Sequence, residues 1–323
     1  MTPAPGPPVL LVGGVGVDTV VRVPELPLPL RDTVHVPPTT RHVGHSGAGW
    51  ALGLHALGVP VHLVDLIGDD LEGEHVRAAL ASRGVRLTAL PTDRGTKRSV
   101  NLVGPDGART SLYDGRDQGR PELAAGLVTG LLAGVRHVHV TINDWTRPVL
   151  RAASARGLPL STDLHDWDGR SEHHREFAAL ADLVVMSAAA RRDEDPETVC
   201  RSVLASGRAR VVVLTAGAAG AWVLVRDGGT VTHVPAVRLP DRPVVDTNGA
   251  GDAFGAAMLA GLLDGLGAVA AARRAAAAAA WACGSPGTQT DPVTPQRLDA
   301  LTERSTPATP AWPARGTTAP RWP

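Results

Sequence analysis

Strand-like runs, each four residues long and mostly apolar, recur along this chain: Val9-Leu10-Leu11-Val12, Val61-His62-Leu63-Val64, His137-Val138-His139-Val140, Leu183-Val184-Val185-Met186 and Val211-Val212-Val213-Leu214. A strand that is apolar at nearly every position, not every second one, is buried on both faces, as in a parallel sheet. Between the runs lie helix-like segments at 47–57, 73–82, 147–156, 255–263 and 268–282. Strand alternating with helix predicts a three-layer α/β fold with a mostly parallel sheet. Two stretches break the rhythm. Residues 19–43 are rich in Pro and alternate Val with polar residues; residues 97–116 carry Ser99-Val100-Asn101-Leu102-Val103 and then the turn signal Pro105-Asp106-Gly107. Together they predict a small antiparallel sheet standing off the main domain. From Thr302 the chain is mostly Pro, Thr, Ala and Arg, which predicts a domain over 9–301 and a disordered tail over 302–323.

Composition narrows the function. Of 323 residues 43% are hydrophobic, enough for a sizeable core. Lys plus Arg and Asp plus Glu both number 32, so no bulk charge draws the chain to nucleic acid or an anionic membrane. No apolar run approaches the ~20 residues of a membrane span. The segment before Val9 lacks the basic region of a signal peptide. The cysteines, Cys200 and Cys283, lack metal-ligand spacing and suit a reducing cytoplasm. Nearly every basic residue is Arg, as in a GC-rich coding bias, and the only lysine is Lys97. It ends no G-K-[ST] loop, so there is no Walker A site, and the expected place for it is the solvated surface of the small sheet. The twelve histidines form no H-x-x-x-H or H-E-x-x-H string, which favours structural or surface roles.

The strongest chemical signal is Asp246-Thr247-Asn248-Gly249-Ala250-Gly251-Asp252-Ala253-Phe254, followed by an apolar stretch with helical spacing. Glycines opening a helix leave its first N–H groups bare, a ready anion site. An Asp in that same turn repels a bound phosphate; it makes sense if it takes the proton from a hydroxyl that attacks the phosphate. The plain alternative is a helix cap with glycine turns. A dinucleotide fingerprint at Gly14-Val15-Gly16 fails, because Thr19 holds the third glycine position and Pro24 and Pro27 break any helix that should follow.

The nine-residue string resembles the D-T-x-G-A-G-D-x-F signature of the ribokinase-like (PfkB) carbohydrate kinases. Other segments fall in that family's order. Gly13 to Asp18 resembles its opening strand and substrate-binding Asp. Gly44-His45-Ser46-Gly47-Ala48-Gly49-Trp50-Ala51 resembles G-G-x-G-x-N-x-A, Gly68 to Gly73 resembles G-x-D-x-x-G, and Thr215 to Gly220 resembles T-x-G-x-x-G. The resemblance implies a ribokinase-like domain with a β-lid that moves the ATP γ-phosphoryl group to a hydroxyl of a sugar-like acceptor. It implies Asp252 as base and the amides of Gly249, Ala250 and Gly251 as anion hole. Asp18, Gly44, His45, Gly47 and Asp163 would bind acceptor, and Thr215, Gly217 and Gly220 would line the nucleotide. Arg116, at the end of the second lid stretch, is expected either to close over an anionic or polyhydroxyl acceptor or to be a solvated surface residue. Mg²⁺ would bridge the phosphates. The resemblance also allows a monovalent cation such as K⁺ near Asp246 and a homodimer through the lid. Two departures stand out. His45 replaces a glycine and Gly49 the acceptor-touching Asn, which suggests a polar contact moved from one side of the pocket to the other. The family's N-x-x-E, which helps place Mg²⁺, is Ser187-Ala188-Ala189-Ala190 here, with Asp193, Glu194 and Asp195 as substitutes in the next turn. The alternatives are a non-catalytic sugar or nucleoside sensor and a nucleoside kinase.

Overall fold

The computed structural model describes residues 6–119 and 121–304. Each strand-like run becomes a strand of one nine-stranded sheet. In chain order its strands are β1 (Val9–Val12), β4 (Val61–Gly68), β5 (Arg86–Thr92), β8 (His137–Val140), β9 (Leu160–Asp163), β10 (Leu183–Ser187), β11 (Val211–Thr215), β12 (Ala221–Val225) and β13 (Thr232–Val234). Their spatial order is β13-β12-β11-β10-β9-β8-β1-β4-β5, with antiparallel pairing only at β12 and β13.

Successive side chains point to opposite faces, so each run feeds two cores. Val9 and Leu11 join the core beneath α1 (Ser46–Ala56), α2 (Leu71–Ser82), α7 (Ala250–Leu263), α8 (Ala268–Ala282) and α9 (Pro295–Arg304). Leu10 and Val12 join the core beneath α3 (Ala125–Leu131), α4 (Arg147–Ala155), α5 (Glu172–Leu180) and α6 (Pro196–Ala205). The result is the three-layer arrangement expected.

A separate four-stranded sheet forms the lid: β2 (Gly16–Arg22), β3 (Thr40–Gly44), β6 (Arg98–Val103) and β7 (Arg109–Asp114), in the order β3-β2-β6-β7. It is not wholly antiparallel, because its central pair, β2 and β6, runs parallel. The reason is that β2 follows β1 and β6 follows β5; two parallel core strands hand the chain on in the same direction. The stretch 19–43 is strand only at its ends, with residues 23–39 irregular. Helix α9 takes in residues 302–304, and the rest of the 302–323 segment lies outside the described residues. No helix among the described residues is long and apolar enough to cross a membrane.

Candidate active site

Helix α7 begins where the glycines of the Asp246 string end. Gly249 caps it at φ 75°, a left-handed conformation that favours glycine. A Cβ there would also come 2.9 Å from the Thr288 Cα. The Ala250 amide donates to the Thr247 carbonyl at 3.3 Å. The amides of the capping Gly249 and of Gly251 in the first turn have no protein acceptor among the described residues, and no atom outside the helix's own backbone lies within 4 Å of where a Gly251 Cβ would stand. Bare amides at a helix N-terminus are the arrangement that can hold an anion.

Asp252 lies in that first turn, and its side chain rests on α1 at Gly49. A Cβ on Gly49 would fall 2.5 Å from Asp252 Oδ2 and 2.6 Å from its Cβ and Cγ. Gly49 is therefore not an acceptor contact given up across the pocket from His45, as its place in the string suggested. The volume of its missing side chain is taken by Asp252. Burial pushes the Asp252 carboxyl up to about 8; the nearby carboxylates of Asp163 and Asp18 push the same way, while Arg109 pulls it down. Asp163 ends β9, and its Oδ1 accepts the His165 amide at 2.8 Å.

Asp18 points inward from β2 and is buried. Ser99 Oγ donates to it from β6, Asn248 Nδ2 approaches at 3.3 Å and Thr288 Oγ1 at 3.5 Å. Gly44 lets this carboxylate in, since a Cβ there would collide with Oδ2 at 2.0 Å. Gly47 serves packing in the same way, 1.8 Å from the Gly13 carbonyl oxygen had it a Cβ. His45, at φ 69°, places Nε2 3.4 Å from Asp18 Oδ1. Burial lowers its pKa, so the ring is neutral near pH 7, and its buried Nδ1 lacks a partner among the described residues. The Tyr113 ring lies 5.3 Å away.

Arg116 is engaged within the lid. Its Nε donates to the Arg94 carbonyl at 2.9 Å and its Nη1 to Asp114 at 3.3 Å. Arg109, which the sequence reading passed over, is the lid arginine whose charge acts on Asp252. The one signal for it was its place after the Pro105-Asp106-Gly107 turn. On the nucleotide side Thr215 ends β11 and leads into a 3-10 turn, Gly217–Ala219. Gly217 is open to solvent; Gly220, at φ 90°, packs where a Cβ would meet the Val234 carbonyl oxygen at 2.2 Å.

Metal-binding groups are sparse. Of the expected substitutes for the missing Glu, Glu194 is held by Arg191 at 2.7 Å and Asp195 caps α6 by accepting from Thr198. No group of three His, Cys, Asp or Glu among the described residues is placed to hold a metal. Asp246 is fully buried, with its two oxygens accepting the amides of Asn248 and Gly287 at 2.8 Å each.

Lys97 overturns its expectation. It is 1% exposed, not solvated, and its Nζ donates to Asp65 at 2.8 Å and to Gln118 at 3.0 Å. A lone lysine beside Thr96 and Arg98 reads as surface, and its partner, a carboxylate in the middle of β4, is invisible without the fold. His137 and His139 are structural as expected. Both are buried and bond Ser161 Oγ, and His139 stacks on Trp50 with ring centroids 3.9 Å apart.

A three-layer α/β domain with a β-lid, bare amides at a helix start and an Asp in its first turn is an arrangement suited to a small-molecule phosphotransferase. The profile of the pfkB family carbohydrate kinases matches residues 9–296, and the chain belongs to that family. It is 46% identical over 282 residues to an acarbose 7(IV)-phosphotransferase of Actinoplanes sp., covering 87% of this chain and 93% of that one. A solved microbiome-derived acarbose kinase is also 46% identical, with a TM-score of 0.85 over 93% of this chain and all of that one. The Arabidopsis thaliana ribokinase complexed with ribose and ATP, at 21% identity, shares the fold with a TM-score of 0.77 over 92% of this chain and 99% of its own. The chain is thus an ATP-dependent carbohydrate kinase that phosphorylates a sugar hydroxyl, which sets aside the sensor alternative.

Proposed function

We propose that the acceptor is acarbose or a sugar close to it, and that Asp252 is the general base. Support for the acceptor comes from the 46% identity to two acarbose-phosphorylating proteins over most of both chains. The pocket departs from the family pattern at His45, whose ring stands beside Asp18 where the family places Gly. The observation that carries the mechanism is Asp252 itself, in the first turn of α7 beside the open amides, with a carboxyl at about 8. It takes the proton from the acceptor hydroxyl as that oxygen attacks the γ-phosphorus. The bond from the γ-phosphorus to the bridging oxygen breaks, and ADP leaves. The amides of Gly249 and Gly251 hold the charge on the transferring group. Asp18, braced by Ser99, Asn248 and Thr288, accepts hydrogen bonds from acceptor hydroxyls, and Asp163 sits on the same side as the base. The turn from Thr215 to Gly220 lines the nucleotide.

Mg²⁺ supplies charge neutralisation on the phosphates. Such an ion would be held mainly through the substrate phosphates. A monovalent cation such as K⁺ is proposed beside Asp246, whose buried carboxylate accepts the amides of Asn248 and Gly287. The homodimer is proposed through the outer lid face, where Val100 and Leu112 are exposed. A screen of ATP consumption against acarbose, ribose, fructose and nucleosides tests the acceptor. We expect kcat/KM for acarbose at least about tenfold above the others, a margin that a few polar contacts supply. Equal or better use of ribose overturns the assignment.

A further inference from the structure

We propose that Asp65 and Lys97 are positioning residues that fix the lid on the core, and with it the placement of the acceptor against Asp252. The proposal rests on the lid carrying the acceptor grip at Asp18, as above. The chain crosses between core and lid at four places: before β2, after β3, before β6 and after β7. Three of them meet at one buried ion pair, two on its carboxylate and the third on its ammonium. Asp65 is fully buried in β4, a strand of the core sheet. Its Oδ2 accepts the amide of Val15, which leads into β2, at 2.5 Å. Its Oδ1 accepts Nζ of Lys97, which leads into β6, at 2.8 Å. The same Nζ reaches Gln118, on the way out of β7, at 3.0 Å, and Gln118 Nε2 returns to the Gly95 carbonyl at 3.1 Å. The remaining crossing carries His45, whose ring lies over Gly16. A Cβ on Gly16 would be 2.4 Å from His45 Cε1 and 2.5 Å from the Lys97 carbonyl oxygen.

A buried ion pair gives little or no stability over apolar residues of the same volume; its best-attested use is to fix one arrangement among several. That use fits a hinge. Hydrocarbon would hold the crossings together but would not fix their angle, whereas a carboxylate and an ammonium meeting in this geometry do. The compact ammonium has three donors to divide between Asp65 and Gln118. The flat fork of Arg, which the chain uses at every other basic position, has a different shape and reach.

The test compares Lys97→Met, Lys97→Arg and the double variant Asp65→Asn with Lys97→Met, which removes both charges and keeps a side-chain oxygen to accept the Val15 amide. Assays use whichever sugar the wild-type enzyme phosphorylates, so failure on acarbose alone touches only the acceptor assignment. All variants that fold should keep KM for ATP within about twofold. They should lose about 10–100-fold in kcat/KM for the acceptor, the range expected when a reacting group moves by about an ångström. They should also hydrolyse more ATP per phosphoryl group delivered. The double variant, which leaves neither charge buried alone, carries the decision if Lys97→Met does not fold. A folded double variant with wild-type acceptor kcat/KM and wild-type coupling of hydrolysis to transfer overturns the proposal and leaves the pair a packing feature.

Discussion

Asp252 and the residue beneath it set the chemistry at the residue scale. A base whose pKa is raised to about 8 is protonated, and idle, below that pH in the free enzyme. Its kcat/KM should therefore climb with pH and level off above about 8. Asp163→Asn removes a neighbouring negative charge and should move this acid limb to lower pH. Arg109→Gln removes a positive one and should move it higher. A pH profile of kcat/KM on the three proteins checks both signs. The same scale distinguishes the family departures. His45→Gly removes the ring beside Asp18 and should raise the acceptor KM more than about threefold, the least that marks a lost contact. Gly49→Asn should not restore an ordinary sugar site, because its side chain would stand where Asp252 stands. We expect kcat to fall at least about tenfold with nucleotide affinity kept; steady-state kinetics separates the two effects.

Elements were legible in proportion to how local their signals are. The five mostly apolar runs became β1, β4, β8, β10 and β11 because burial on both faces writes itself into every position. Strand β5, Arg86–Thr92, mixes polar and apolar residues at the sheet edge and gave no such signal. The lid strands were placed, but their parallel centre was not, because pairing direction depends on which core strands they leave. The lid's inner face follows from register: Asp18, Ser99 and Tyr113 align across β2, β6 and β7. Substrate should slow amide hydrogen exchange in 16–22, 40–44 and 98–114, since lid closure excludes water from the site. Unchanged exchange at saturating acceptor contradicts a moving lid.

At the scale of the whole molecule, the site joins pieces far apart in the chain: β2 and α1 near its start, β9 in the middle, α7 near its end. The Asp246 to Phe254 string was readable because its chemistry lies within nine consecutive residues. The support it needs was not, since Gly49 beneath Asp252, Thr288 and Ser99 at Asp18, and Asp65 at Lys97 are contacts of the fold. Gly255 shows the same limit: it looks like one more small residue, yet a Cβ there would lie 2.0 Å from the Trp50 ring, where α1 meets α7. All of these arrangements bear on one claim, that Asp252 moves the acceptor's proton. Single-turnover phosphoryl transfer by Asp252→Asn, with nucleotide affinity measured on the same protein, tests it most directly. The account predicts unchanged nucleotide binding and a transfer rate lower by about 10²–10⁴-fold. Transfer at a near wild-type rate would contradict it.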